Sequence, residues 1–114
     1  MVLEISTDHG IVIITLPRRF DLDSAQFVEN ELKPVLAQYP ERVLFDFSKT
    51  EYISSAGVRV LLKSTRSLKE GGGNVALSSL CHQVMYILEI ARFTKVFTIY
   101  DTRDKALRHM NKKR

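Results

Sequence analysis

The segment Tyr52-Ile53-Ser54-Ser55-Ala56-Gly57-Val58-Arg59 sets two consecutive hydroxyls ahead of a glycine and an arginine. Serines at a strand-to-helix turn have two uses: one oxygen accepts from the N–H groups that open the helix, and an exposed one can carry a phosphoryl group. Gly57 permits close packing of the first turn. Taken alone, these residues favour capping over modification, and both readings stay open.

Other candidates explain themselves as structure. Asp21 and Asp23, before a first helix, and Asp46, at a strand end, are carboxylates that could meet at the carboxyl edge of an open sheet, where such folds bind ligands. Paired carboxylates suit acid–base catalysis, but no nucleophile, oxyanion hole or cofactor fingerprint accompanies them, and helix capping accounts for Asp23. After Gly71-Gly72-Gly73 a P-loop would need Lys and Ser/Thr at a helix start; Asn74-Val75-Ala76 opens a strand instead. The histidines 9, 82 and 109 are widely spaced, and Cys81 and His82, adjacent on a helix, point in different directions, so they form neither a zinc set nor a nucleophile–base pair. No catalytic residue, metal or cofactor is expected.

The elements that must position Ser54 and Ser55 belong to one small domain, 1–114. With 114 residues, 45% hydrophobic and 26% charged, the chain can bury a core without staples and is not of disordered composition. The net charge of +4 suggests nucleic acid until it is located: residues 1–100 hold 11 Lys/Arg and 11 Asp/Glu, and residues 101–114 hold 6 and 2. The excess is a basic C-terminal tail from about residue 111, suited to the negative end of a last helix, and no direct nucleic-acid binding is expected. A single cysteine and no leader pattern make the cytoplasm the expected location. No apolar run approaches the ~20 residues of a membrane span.

Val2 to Ser6 and Ile11 to Leu16 read as a hairpin turning at Asp8-His9-Gly10. A helix follows, with Asp23 or Ser24 as cap, Gln26 completing a capping box with Asp23, an apolar face of Phe27, Leu32, Val35 and Leu36, and Pro34 bending or shortening it. Val43 to Phe47 is a strand leading into a second helix, about Ala56 to Glu70. That helix buries Val58, Leu61, Leu62, Thr65 and Leu68 and exposes Arg59, Lys63 and Arg66. The glycines end it; Val75 to Leu77, a third helix capped by Ser78 or Ser79 with a stripe of Val84, Ile87, Leu88 and Ala91, a strand at Val96 to Tyr100 and a helix from Thr102 to about Met110 complete the order. A hairpin followed by β–α units implies an α/β fold, a mixed sheet of about five strands with about four helices.

Leu44-Phe45-Asp46-Phe47-Ser48 followed by Tyr52-Ile53-Ser54-Ser55-Ala56-Gly57-Val58-Arg59-Val60-Leu61-Leu62 closely resembles the signature of STAS-domain anti-sigma-factor antagonists. Phe20-Asp21-Leu22-Asp23-Ser24-Ala25 resembles the family segment before the first helix, and the later strand–helix–strand order from Gly71 to Tyr100 follows more loosely. The resemblance implies a STAS-like fold and a phosphoacceptor two residues before the loop glycine, which is Ser55. It also implies a partner-binding face of Asp21, Ser54, Gly57 and Arg59. The partner would be an anti-sigma factor, typically a small serine kinase, bound by the unphosphorylated form so that a sigma factor is freed. Phosphorylation would break the association, a phosphatase would restore it, and the chain would have no catalysis of its own; apart from the resemblance, a monomer is expected, with other oligomeric states open. Arg18 and Arg92 depart from family positions that often hold glycine, and Ser54 stands where aspartate is frequent. Two other roles remain on this fold: a non-switching scaffold or subunit of a signalling or lipid-transport complex, and a nucleotide- or lipid-binding module.

Overall fold

A computed structural model describes residues 3–112. Strands β1 (Glu4–Asp8) and β2 (Ile11–Thr15) form an antiparallel hairpin. Its two-residue turn has His9 at φ 50° and Gly10 at φ 81°, the positive pair that suits the twist of a tight hairpin. From β2 the sheet runs parallel through β4 (Arg42–Asp46), β6 (Asn74–Ser78) and β7 (Thr98–Tyr100), giving the order β1-β2-β4-β6-β7. The inner strands β2 and β4 read as almost continuous apolar runs because both their faces are covered. Ile14, Val43, Phe45 and Leu77 pack into the larger core under α1 (Leu22–Ala37), α2 (Ser55–Glu70) and α3 (His82–Ile90). Ile11, Ile13, Leu44 and Ala76 face the other way, onto Ala106 and Met110 of α4 (Arg103–Lys112). This is the expected five-stranded mixed sheet with four helices.

A second, two-stranded sheet was not foreseen. β3 (Arg19–Phe20) and β5 (Tyr52–Ile53) pair in parallel, Arg19 with Tyr52 and Phe20 with Ile53. Two residues are too few to show a period of two in a sequence. The pair nevertheless decides the site, because the residues that follow it, Asp21 and Ser54, begin α1 and α2 side by side.

Several boundaries differ from expectation for local reasons. Asp21, extended at φ −129° and ψ −168°, caps α1, so the capping box joins Asp21 to Ser24 and not Asp23 to Gln26. Helix α1 continues to Ala37 past Pro34; Asn30, whose carbonyl loses its intrahelical donor there, is exposed to water. Neither Ser78 nor Ser79 caps α3. Ser78 is buried in β6, Ser79 takes φ 62°, and Cys81 holds the cap position without a side-chain bond. The last strand starts at Thr98 instead of Val96, and Ala91, expected in the buried stripe of α3, is an exposed C-cap. The expected tail from about 111 begins within α4; Lys113, Arg114, Met1 and Val2 lie outside the described residues.

Helices α2 and α3 end by the same device. In α2 the N–H of Gly73 reaches Leu68 O at 2.9 Å and that of Gly72 reaches Lys69 O at 3.0 Å, with Gly72 at φ 88°. In α3 the N–H of Phe93 reaches Leu88 O at 2.8 Å and that of Arg92 reaches Glu89 O at 3.0 Å. Arg92 therefore carries the left-handed conformation, φ 64°, that a glycine would adopt without strain.

Candidate functional site

The site is the place where β3 and β5 hand over to α1 and α2. Ser54 donates its N–H to Phe20 O at 3.0 Å, extending the small sheet by one bond. Ser54 then occupies the N-cap of α2 at φ −106° and ψ 175°, but its Oγ makes no cap bond and is buried without a hydrogen-bond partner. The capping reading of the two serines therefore fails at the side chain. Ser55 is the first residue of the helix and is exposed.

Gly57 is buried against the neighbouring strand. A Cβ at this position would lie 2.3 Å from Phe20 O and 3.0 Å from Ile53 Cγ1, so only glycine lets the first turn of α2 seat on β3 and β5. Behind β5, the carboxamide of Gln83 on α3 accepts from Ile53 N–H at 2.9 Å and donates to Ile53 O at 3.3 Å. It takes the place of one further strand, satisfying backbone groups that would otherwise be stranded in a partly buried edge.

Asp21 is fixed as firmly. Its Oδ1 accepts from the N–H groups of Asp23 (3.1 Å) and Ser24 (3.3 Å), while Ser24 Oγ accepts from Asp21 N–H at 3.1 Å. Arg19 Nε lies 3.2 Å from Asp21 Oδ2, and the Arg19 guanidinium lies 4.5 Å from the centre of the Tyr52 ring. Desolvation pushes the Asp21 carboxyl up, but the Ser24 N–H, the bond and charge of Arg19 and the Asp23 N–H outweigh it and leave it below its ordinary value. A chain of contacts thus runs Tyr52–Arg19–Asp21 and locks the two loops together. Leu22, the next residue and the first of α1, is 78% exposed.

Arg59 stands one turn beyond Ser55, at i+4 on α2, and is exposed. Asp21 and Ser54 thus follow the paired strands at the starts of α1 and α2; Gly57 is buried support, the Ser54 oxygen is turned inward, Asp21 is half-buried and Arg59 is exposed. Asp46 is not among them: it is 2% exposed, accepts from Ser48 N–H at 2.9 Å and pairs with Arg103 of α4 at 3.5 Å. Asp23 is an exposed first-turn residue of α1. Cys81 is half-buried, its Sγ 3.7 Å from Glu51 O. Among the described residues no group of three or more His, Cys, Asp or Glu side chains could hold a metal ion. Among the described residues no helix is long and apolar enough to cross a membrane. Sequence reasoning missed Arg19 and Gln83, whose roles come from contacts across the fold and leave no local pattern.

Comparisons with known proteins agree with this fold. The STAS domain family model matches residues 2–106. BtrV of Bordetella bronchiseptica, named as an anti-sigma factor antagonist, is 30% identical over 106 residues, 93% of this chain and 91% of that one. A Thermotoga maritima protein described as an anti-sigma factor antagonist has the same fold, with a TM-score of 0.87 at 21% identity over 94% of this chain and 92% of that one. The Bacillus cell fate determinant SpoIIAA, solved in its phosphorylated form, superposes with a TM-score of 0.74 at 14% identity over 96% and 99%. A match over most of the chain to the domain model, joined to a relative at this identity, places the protein: it belongs to the STAS domain family, among relatives named as anti-sigma factor antagonists.

Proposed function

We propose that this chain is an anti-sigma factor antagonist that binds an anti-sigma factor with serine kinase activity while Ser55 is unmodified, and so frees a sigma factor. Phosphorylation of Ser55 ends the association, and a phosphatase restores it. The observation that carries this reading is the position of Ser55: exposed, first in α2, and one turn before the exposed Arg59.

A phosphoryl group adds about −1.5 to −2 charge at pH 7. At the first position of α2 it meets the positive end of the helix, and Arg59 at i+4 is within reach on the same face. Both effects stabilise the modified serine in place. The charge therefore leaves the fold standing and acts on the partner, by filling contact space and by repelling acidic groups that would otherwise approach Arg59. Phosphorylated SpoIIAA keeps this fold, which supports a modification that acts outside the core. ATP and phosphoryl transfer belong to the kinase; this chain supplies the hydroxyl and the docking face, acting as a monomer in the cytoplasm.

The test is intact mass after incubation with ATP and candidate kinases of the same genome. Wild type should gain one phosphate, Ser54→Ala should still gain it, and Ser55→Ala should not. Labelling that persists in Ser55→Ala would overturn the assignment. Stable co-purification with a partner regardless of the state of Ser55 would instead favour a non-switching scaffold.

A further inference from the structure

A groove of about 650 Å³ runs between α2 and α3, with Ser55 at one end. Its floor is Val58, Leu62, Ile87 and Phe93, and Ile90, 58% exposed, forms the outer lip on α3. The opposite lip is basic: Arg59, Lys63 and Arg66 line it from α2. Lys63 is engaged with Glu29 of α1 at 2.7 Å, whereas among the described residues neither Arg59 nor Arg66 has an ion-pair partner. Past Leu62 and Arg66 the hollow continues beside Lys69, Glu70 and Val96, which is 44% exposed. From Ser55 to Lys69 the track is about 21 Å long at 1.5 Å per residue.

We propose, resting on the partner reading above, that this groove seats an acidic amphipathic helix of the partner protein. Two features favour that occupant. Arg59 and Arg66 are seven residues apart on one face of α2, about 10.5 Å along its axis, so a helix laid alongside meets them with two carboxylates at the same seven-residue spacing. Its leucine-like residues between those carboxylates then cover Leu62, Ile87 and Phe93. A single-chain lipid would need its cations gathered at one end for one headgroup; here they are spread along the lip. Nucleic acid has no use for the apolar floor and lip. The seat begins at Ser55, so phosphorylation places its charge where the acidic helix enters, and Arg59, drawn to the phosphate, is lost to the partner.

The probe is a stapled helical peptide of about four turns with glutamates seven residues apart and leucines three and four positions after the first. Controls are its scrambled form, a lysine-for-glutamate form and sodium palmitate. With the isotope-labelled full chain, the peptide should shift the amide signals of Leu62, Ile87, Ile90 and Phe93. Arg66→Glu and Ile90→Asp, both exposed, should keep the wild-type melting temperature and weaken binding at least about fivefold. The lysine peptide should bind Arg66→Glu better than it binds wild type. Equal binding of the scrambled peptide, shifts elsewhere on the surface, or palmitate shifting these signals when the peptide does not, would overturn the proposal. The cognate anti-sigma factor separates the two readings. If Ser55→Asp abolishes its binding and Ile90→Asp does not, the groove assignment is wrong and the switch stands. If the peptide seats in the groove and no anti-sigma factor binds, the switch is wrong and the groove stands.

Discussion

Gly57→Ala sets two physical effects of opposite sign against each other. Alanine is favoured over glycine inside a helix by about 1 kcal/mol, so propensity alone predicts a more stable protein. The structure predicts the reverse. The new methyl carbon would lie 2.3 Å from Phe20 O, an atom fixed in turn by the bond from Ser54 N–H, and 3.0 Å from the side chains of Ile53 and Phe20. An ordinary carbon–oxygen contact needs roughly 1 Å more, and the backbone on both sides is held, so the first turn of α2 must lift away from β3 and β5. Overpacking of this kind costs about 1–3 kcal/mol, and the lost Ser54–Phe20 bond about 1 kcal/mol more. After the propensity gain, a net loss of about 2 kcal/mol remains, or a fall in melting temperature on the order of 8 °C for a domain of this size. Urea denaturation and thermal melting monitored by circular dichroism measure it directly. A melting temperature equal to or above that of wild type would refute the account of why glycine stands here.

The other predictions concern the end of α3 and the supports of the same junction. Arg92→Gly should stabilise the fold by up to about 1 kcal/mol in urea, since it relieves a left-handed arginine; a loss of stability would mean the Arg92 side chain contributes more than its backbone strain costs. Gln83→Ala should cost about 1–3 kcal/mol and speed hydrogen exchange at Ile53, whose backbone groups lose their partner; unchanged exchange there would contradict the contact. The Asp21 carboxyl is held below its ordinary value of 3.8, so its contribution is present above that pH and is lost as pH falls through the lowered value. Asp21→Asn, which still caps α1 but carries no charge, should therefore lower the neutral-pH plateau of the stability–pH curve and flatten its acid limb, whereas Asp21→Ala, which removes the cap bonds as well, should lower that plateau further.

The main sheet was legible because its buried strands, Ile11 to Leu16 and Val43 to Phe47, are long apolar runs, and α2 was legible because Val58, Leu61, Thr65 and Leu68 repeat at helical spacing opposite Arg59 and Arg66. The seat of the site was harder to read. β3 and β5 are two residues each and exist only because they pair with one another across more than thirty residues of chain. Cap assignments failed by two or three positions, since Asp21, Asp23, Ser78 and Ser79 are all competent capping types and only the tertiary path decides which one sits at the helix start. Ser54 shows the limit most clearly: a serine in the cap position whose oxygen is turned into the protein and makes no bond. Ser55 and its neighbours were found through a motif, and the motif could not convey that Arg19, stacked on Tyr52, and Gln83 hold them in place.

The central claim is that one phosphate on Ser55 changes the partner surface without changing the fold. Its most direct test is the affinity of the cognate anti-sigma factor for the chain before and after stoichiometric enzymatic phosphorylation of Ser55, measured by calorimetry alongside the melting temperature of both forms. The account predicts binding by the unmodified chain, a loss of at least about tenfold in affinity on phosphorylation, and nearly equal melting temperatures. Equal affinity of the two forms, or a phosphorylated form that binds weakly only because it has partly unfolded, would contradict it.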